Sequence, residues 1–219
     1  MTYPQGSDPR EVKVWDIAVR VGHWSLVALF AIAYLSGEIE AETLHAWAGY
    51  AILAIIVFRL LWGFVGTRHA RFTDFVFGWT TTSAYARSLL TLRPKHYLGH
   101  NPLGGWMVVA LLAALLLVSW SGLELYAAGG KGPLAGMKLM PVKPAFANRE
   151  KENDDRDGGG DDLWEDVHEF LAHLSLLLVF LHIGGVLLSS LLHRENLIRA
   201  MVTGTKRIRS EPQDLSTGV

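Results

Sequence analysis

The sequence predicts an all-α integral membrane protein, a four-helix bundle with both termini on the cytoplasmic side. Three observations carry that expectation. Half of the 219 residues are hydrophobic, and eight are Trp. Four apolar runs each reach the roughly 20 residues that a helix rising about 1.5 Å per residue needs to cross a bilayer. Lys and Arg gather in alternate connections, as they do where a chain weaves through a membrane with its basic segments inside.

Taken in order, residues 1–16 form a cytoplasmic N-terminal segment with Arg10 and Lys13, and Arg20 follows just inside the first run, 17–36. The "AIA" at 31–33 mimics a signal-peptide cleavage site, but a buried His23 argues for retention of this run as a span. The first connection, "GEIEAET", is short and acidic and belongs outside; the second span is 44–65. The second connection holds Arg68, Arg71, Arg87, Arg93 and Lys95 and belongs inside. Its "FGWTTTSAYARSLLTLRP" has the apolar and aromatic spacing of a short helix lying on the membrane surface.

The third span, 103–126, leads to a periplasmic loop at 127–163 with six basic and seven acidic residues and many Gly and Pro, which reads as exposed. The fourth span, 164–192, is followed by a basic cytoplasmic tail, 194–219. Residues 17–193 thus form one membrane domain between two short cytoplasmic segments.

Composition removes several chemistries. With no Cys there are no disulfides, thiolate zinc sites, cysteine-ligated iron–sulfur clusters or covalent c-type haem attachment. A formal net charge of -1 supplies no basic field for nucleic acid. Membrane lipid is the expected surrounding.

Histidine is the ligand that remains. Ionisable side chains inside a span are costly and mark function when a partner offsets the cost. His168 and His182 lie 14 residues apart, which places them within about 40° of each other on one helix face and about 21 Å apart along the axis. His173 lies about 140° from the first and about 180° from the second, so it takes a structural role, bonding another helix or facing a polar crevice. His23 is near the cytoplasmic start of the first span and His45 near the external start of the second. Depth therefore pairs His45 with His168 outside and His23 with His182 inside.

Two imidazoles facing each other across helices suit the axial positions of a haem iron in a bundle core. Zinc would need further donors at each level, and the spans offer few carboxylates and no thiolates. A haem plate also needs small neighbours: Gly22 precedes His23, Gly49 is one turn after His45, and Gly184 and Gly185 follow His182. Arg20, one turn before His23, and Arg59, in the cytoplasmic half of the second span, are candidate partners for haem propionates. Trp15, Trp24, Trp62, Trp79, Trp106 and Trp164 fall near interfaces as an aromatic belt. His69, His96, His100 and His193 lie in connections or at a helix end. No catalytic side chain is assigned.

On "RVGHW" (20–24), "LHAWAGYAILAIIVFRLLWGFVG" (44–66), "YLGHNPLGGWM" (97–107), "SGLELY" (121–126), "HEFLAHLSLLLVFLHIGGVLLSSLLHRENLIRAM" (168–201) and "TGTKR" (203–207), the chain resembles the bacterial cytochrome b561 family. It resembles more closely the b-type cytochrome subunits of membrane-bound nickel–iron hydrogenases. The resemblance runs from about residue 13 to 209 and leaves the third connection unmatched. It implies two b haems, with His23, His45, His168 and His182 at the ligand positions, a quinone as the exchangeable electron partner, and a redox protein outside.

The expected function is then that of a di-haem cytochrome carrying electrons across the bacterial inner membrane. It would link a quinone pool to a periplasmic cytochrome c or hydrogenase-like enzyme, as a subunit, a homodimer or part of a larger complex. Arg20, His96 and His100 are the candidates nearest a cytoplasmic quinone. Superoxide:ubiquinone oxidoreductase activity is the alternative within the family, although the acidic outer segments "GEIEAE" and "DDRDGGGDDLWEDVHE" repel an anion. Outside the family, a non-redox membrane anchor and an intramembrane zinc hydrolase are the competing readings. The second lacks an H-E-x-x-H arrangement, because "HEFLAH" spaces its histidines five apart.

Overall fold

The computed structural model describes residues 10–91, 94–132, 135 and 161–208. Most of the 127–163 connection and the end of the tail lie outside these residues, and so does the expectation of an exposed loop there.

Four helices are long and apolar enough to cross a membrane. They are α1 (Ile17–Glu38), α2 (Glu42–Val65), α5 (Pro102–Ala128) and α6 (Asp161–His193), with α3 (Phe72–Phe75) and α4 (Trp79–Leu90) between the second and third and α7 (Leu197–Thr203) after the last. The fold is the membrane helical bundle expected from the sequence. Each long helix runs past its apolar core at one or both ends, because the caps rather than hydropathy decide where a helix starts.

Local chemistry sets those ends. Asp16 Oδ1 accepts from Val19 N at 2.8 Å and opens α1. Asn101 Oδ1 accepts from Gly104 N at 2.7 Å, with Pro102 in the first helical position, where its missing N–H costs nothing. Asn196 caps α7 through Arg199 N at 2.7 Å, and Gly204, at φ 85°, ends it. Within the spans, Ser36, Ser121 and Ser175 turn their hydroxyls back onto carbonyls of their own helices, so the polar atoms are satisfied without water. Large apolar side chains point outward along the spans, Phe64, Phe180 and Leu191 among them, an arrangement that suits a hydrocarbon solvent.

The chain divides into two compact units, one of residues 1–23, 61–106 and 182–219, the other of 24–60 and 107–181. The first holds a two-stranded antiparallel sheet that no local pattern in the sequence predicts. Strand β1 (Arg10–Lys13) pairs with β2 (Thr205–Ile208), Arg10 opposite Ile208 and Lys13 opposite Thr205. Val14 N and Trp15 N then both donate to Gly204 O. Below the sheet, Val14, Trp15, Val19, Ala70 and Ala200 form a core with Trp62 and Met201. Asp16 ties this unit together, because its Oδ2 accepts from Trp62 Nε1 at 3.1 Å and Thr67 Oγ1 at 2.5 Å. The surface helix read in the second connection is α4, with Thr82 and Tyr85 buried and Trp79 and Leu90 exposed.

In the second unit the core is Ile52, Ile56 and Leu115, packed by Leu26, Leu29, Phe30 and Leu60. All sit on the inward faces of α1, α2 and α5.

Candidate functional site

The structure brings the four span histidines together in two pairs, one in each unit. In the first unit the rings of His23 (α1) and His182 (α6) lie with centroids 6.4 Å apart and planes 54° apart. In the second, His45 (α2) and His168 (α6) lie 5.8 Å apart at 81°.

Hydrogen bonds fix two of these rings. Ala33 O lies 2.8 Å from His45 Nδ1. A carbonyl can only accept, so Nδ1 carries the hydrogen and Nε2 keeps its lone pair. Ser121 Oγ lies 3.0 Å from His168 Nδ1 and also donates to Val118 O at 3.0 Å. With its one hydrogen committed, the serine accepts from Nδ1–H, and His168 too presents a bare Nε2. Close approach needs small residues here: a Cβ on Gly122 would stand 2.9 Å from His168 Cε1, and one on Gly37 would stand 3.3 Å from His45 Nδ1.

A cavity of about 290 Å³ opens beside the second pair, lined by His45, His168, Gly49, Leu53 and Val118 among others. A Cβ on Gly49, Gly184 or Gly185 would meet nothing within 4 Å, so these glycines border open space rather than tight helix contacts.

The remaining site residues divide. Arg20 Nη1 donates to Val202 O at 2.7 Å, while its shielded Nε has no hydrogen-bond partner. Arg59 is half-buried on α2 in the second unit. His100 packs its ring against Trp15 and Phe75, at 4.5 and 4.8 Å. His96 Nε2 lies 2.7 Å from Glu195 Oε1, and its ring is 5.2 Å from that of His193. His69 Nδ1 lies 2.8 Å from Asp74 Oδ2. His173 differs from expectation in its bond, which goes to Glu169 O of its own helix at 2.9 Å; among the described residues another helix is reached by edge-on ring contact with Tyr34. The helix geometry that kept it off the face of His168 left it exposed, where a carbonyl one turn back is the nearest acceptor.

Against known proteins, the model of the family described as prokaryotic cytochrome b561 matches residues 14–204. The chain belongs to that family. The cytochrome is 27% identical over 235 residues to a protein of Azotobacter chroococcum mcd 1 described as a probable Ni/Fe-hydrogenase B-type cytochrome subunit, covering 93% of this chain and 91% of that one. A protein of the same description from Rhizobium leguminosarum bv. viciae is 25% identical, with 90% and 89% covered. One from Rhodobacter capsulatus is 22% identical, with 91% and 83% covered. No solved structure matches significantly. Membership makes the cytochrome a multi-pass membrane protein of the haem b class, concerned with electron transfer.

The paired rings fit such a group. Two metal–imidazole nitrogen bonds of about 2 Å, plus the short distance from each nitrogen to its ring centre, give a centre-to-centre span of roughly 6 Å, and the observed pairs stand at 6.4 and 5.8 Å. Among the described residues, no group of three or more His, Cys, Asp or Glu converges as a metal site. A four-donor zinc tetrahedron therefore has no donor set there.

Proposed function

We propose that this chain is a di-haem b-type cytochrome of the bacterial inner membrane, passing electrons between a quinone pool and a periplasmic redox partner. The observation that carries the reading is the pair of facing imidazoles in each unit, at 6.4 and 5.8 Å. His23 and His182 would hold the haem on the cytoplasmic side, and His45 and His168 the one on the periplasmic side. When bound, the haems supply one-electron redox centres; the protein supplies ligands, orientation and a dry surround.

The bonds of His45 and His168 to Ala33 O and Ser121 Oγ favour the tautomer that leaves Nε2 free to donate to iron. Gly49 in the second unit, and Gly184 and Gly185 in the first, border open space that would admit a flat plate beside the histidines of their own units. Arg20 and Arg59 would offset carboxylate charge. The pairing of β1 with β2 supports a common side for the segments before α1 and after α7, and the Lys and Arg of the connections support the cytoplasm as that side. The name of the relatives points to a hydrogenase-like enzyme as the outer partner, and a cytochrome c is the other candidate.

Redox titration of the detergent-purified protein tests this directly. Two b-type components are expected, with His23→Leu removing one and His45→Leu the other. Stopped-flow mixing with quinol, cytochrome c and superoxide in turn then identifies the fastest reactant. A colourless preparation sinks the reading and leaves a membrane anchor; fastest reduction by superoxide would make the chain a superoxide oxidase instead.

A further inference from the structure

The cavity beside His45 and His168 is apolar along Leu53, Val118 and Leu123 and polar where Glu42, Tyr50, Tyr126 and Lys131 gather. Two features of that polar end lack a purpose in the bare fold. Tyr50 Oη is shielded and has no hydrogen-bond partner among the described residues, and a buried hydroxyl left unbonded costs free energy that an acceptor would recover.

Lys131 is the second feature. It is carried back over the cavity by a backbone that uses left-handed glycines on both sides, Gly130 at φ 71° and Gly132 at φ 79°, conformations that other residues rarely adopt. A Cβ on Gly132 would stand 2.8 Å from Tyr50 Oη and 2.7 Å from Tyr126 Cδ1, so the turn lies directly against the two tyrosines. Lys131 Nζ reaches Glu42 Oε1 at 2.6 Å. Both side chains are more than half exposed, and solvent screening leaves an exposed pair of that kind with little net effect. The pair alone does not account for the tight turn.

A ligand that is apolar over most of its area, with carboxylates along one edge, satisfies all of these groups at once. It would fill the apolar wall, accept from Tyr50 Oη and share the Lys131 ammonium with Glu42. Resting on the two-haem reading above, we propose that Tyr50 and Lys131 anchor the propionates of the haem held by His45 and His168.

The test uses the purified holoprotein, with each haem followed by potentiometry and the propionate bending band by resonance Raman. The outer component is identified as the one that His168→Leu abolishes. In Lys131→Met the uncompensated propionate charge favours the ferric form, so the reduction equilibrium of the outer haem falls about threefold to tenfold, the size of one partly screened charge. The inner component holds still. In Tyr50→Phe the propionate band shifts while both haems stay bound.

If Lys131→Met loses the outer haem altogether, Lys131→Arg restores it under the proposal; an Arg variant that loses it equally makes the position structural and overturns the anchor. Unchanged potentials and bands in Lys131→Met and Tyr50→Phe, with both haems present, overturn it as well. A wild-type preparation without haem fails at the earlier step, because the two-haem reading then falls and takes the anchor with it.

Discussion

Ser121 and His168 meet across two helices at 3.0 Å, and the serine has already spent its hydrogen on Val118 O. It can only accept from His168 Nδ1, which makes the imidazole a stronger donor through its other nitrogen. Under the two-haem proposal, removing that acceptor in Ser121→Ala should weaken donation to ferric iron and raise the potential of the haem held by His45 and His168. A hydrogen bond worth about 0.5–1.5 kcal/mol corresponds to roughly 20 to 60 mV for one electron. Ser121→Thr, which keeps the hydroxyl, should return it toward wild type. Equal potentials in all three proteins would remove the serine from any tuning role.

Two glycines separate the proposed haem cradle from ordinary packing. A methyl on Gly49 meets nothing within 4 Å, so Gly49→Ala should keep its helical circular dichroism, helped by about 1 kcal/mol of propensity, while losing haem from the outer site. A methyl on Gly105 would overlap the Phe75 carbonyl oxygen. Gly105→Ala should therefore lower folded yield by the overpacking cost of about 1–3 kcal/mol, whether or not haem is bound. Full haem content in Gly49→Ala would argue that the open space has another use.

Asp16 caps α1 and receives hydrogen bonds from Trp62 and Thr67. Burial pushes its carboxyl pKa up, but these donors outweigh it and hold the pKa below 3.8. A depressed folded pKa means a contribution that is complete above 3.8 and lost as pH falls through the lower folded value. Asp16→Ala removes the cap and strands the indole N–H, a loss of about 2–4 kcal/mol. Thermal unfolding should show the deficit at neutral pH and a narrowing gap in acid; a constant gap would mean that the aspartate acts without its charge.

Lys206 is nearly enclosed and sits 3.6 Å from Glu195, with Tyr97 O at 3.4 Å. Burial lowers its pKa from 10.5, and Glu195 partly opposes the shift. The folded state then binds fewer protons than the unfolded one between the lowered pKa and 10.5, so stability rises with pH across that window. Glu195→Gln leaves the ammonium unpaired, at a cost of about 2–4 kcal/mol at neutral pH, and should start the rise at a lower pH. Melting temperatures measured from neutral pH upward check both, and a flat profile in the variant would contradict them.

Much of this was legible in the sequence because a membrane leaves few choices. Long apolar runs must be helices, and an imidazole placed among them must find a partner at its own depth; that logic pairs His23 with His182 and His45 with His168 from chain positions alone. What escaped has no local signature. Arg10–Lys13 and Thr205–Ile208 are four-residue strands of mixed polarity whose only reason to extend is each other. The acceptor on His45 is the Ala33 carbonyl, a group every residue carries. Ser121 looked like any span serine bonding back to its own helix, which it also does. The bond of His96 to Glu195 escapes the sequence because the two are 99 positions apart.

The sheet that joins β1 to β2 also orders events during synthesis. The ribosome delivers β1 before any span is threaded, yet its partner leaves the tunnel only after all four have been made. Until then Arg10–Lys13 stands as a lone, unzipped edge. Its closure is therefore a late event in biogenesis, and a nascent chain that stalls short of Thr205 is left with a dangling end that a quality-control protease can grip.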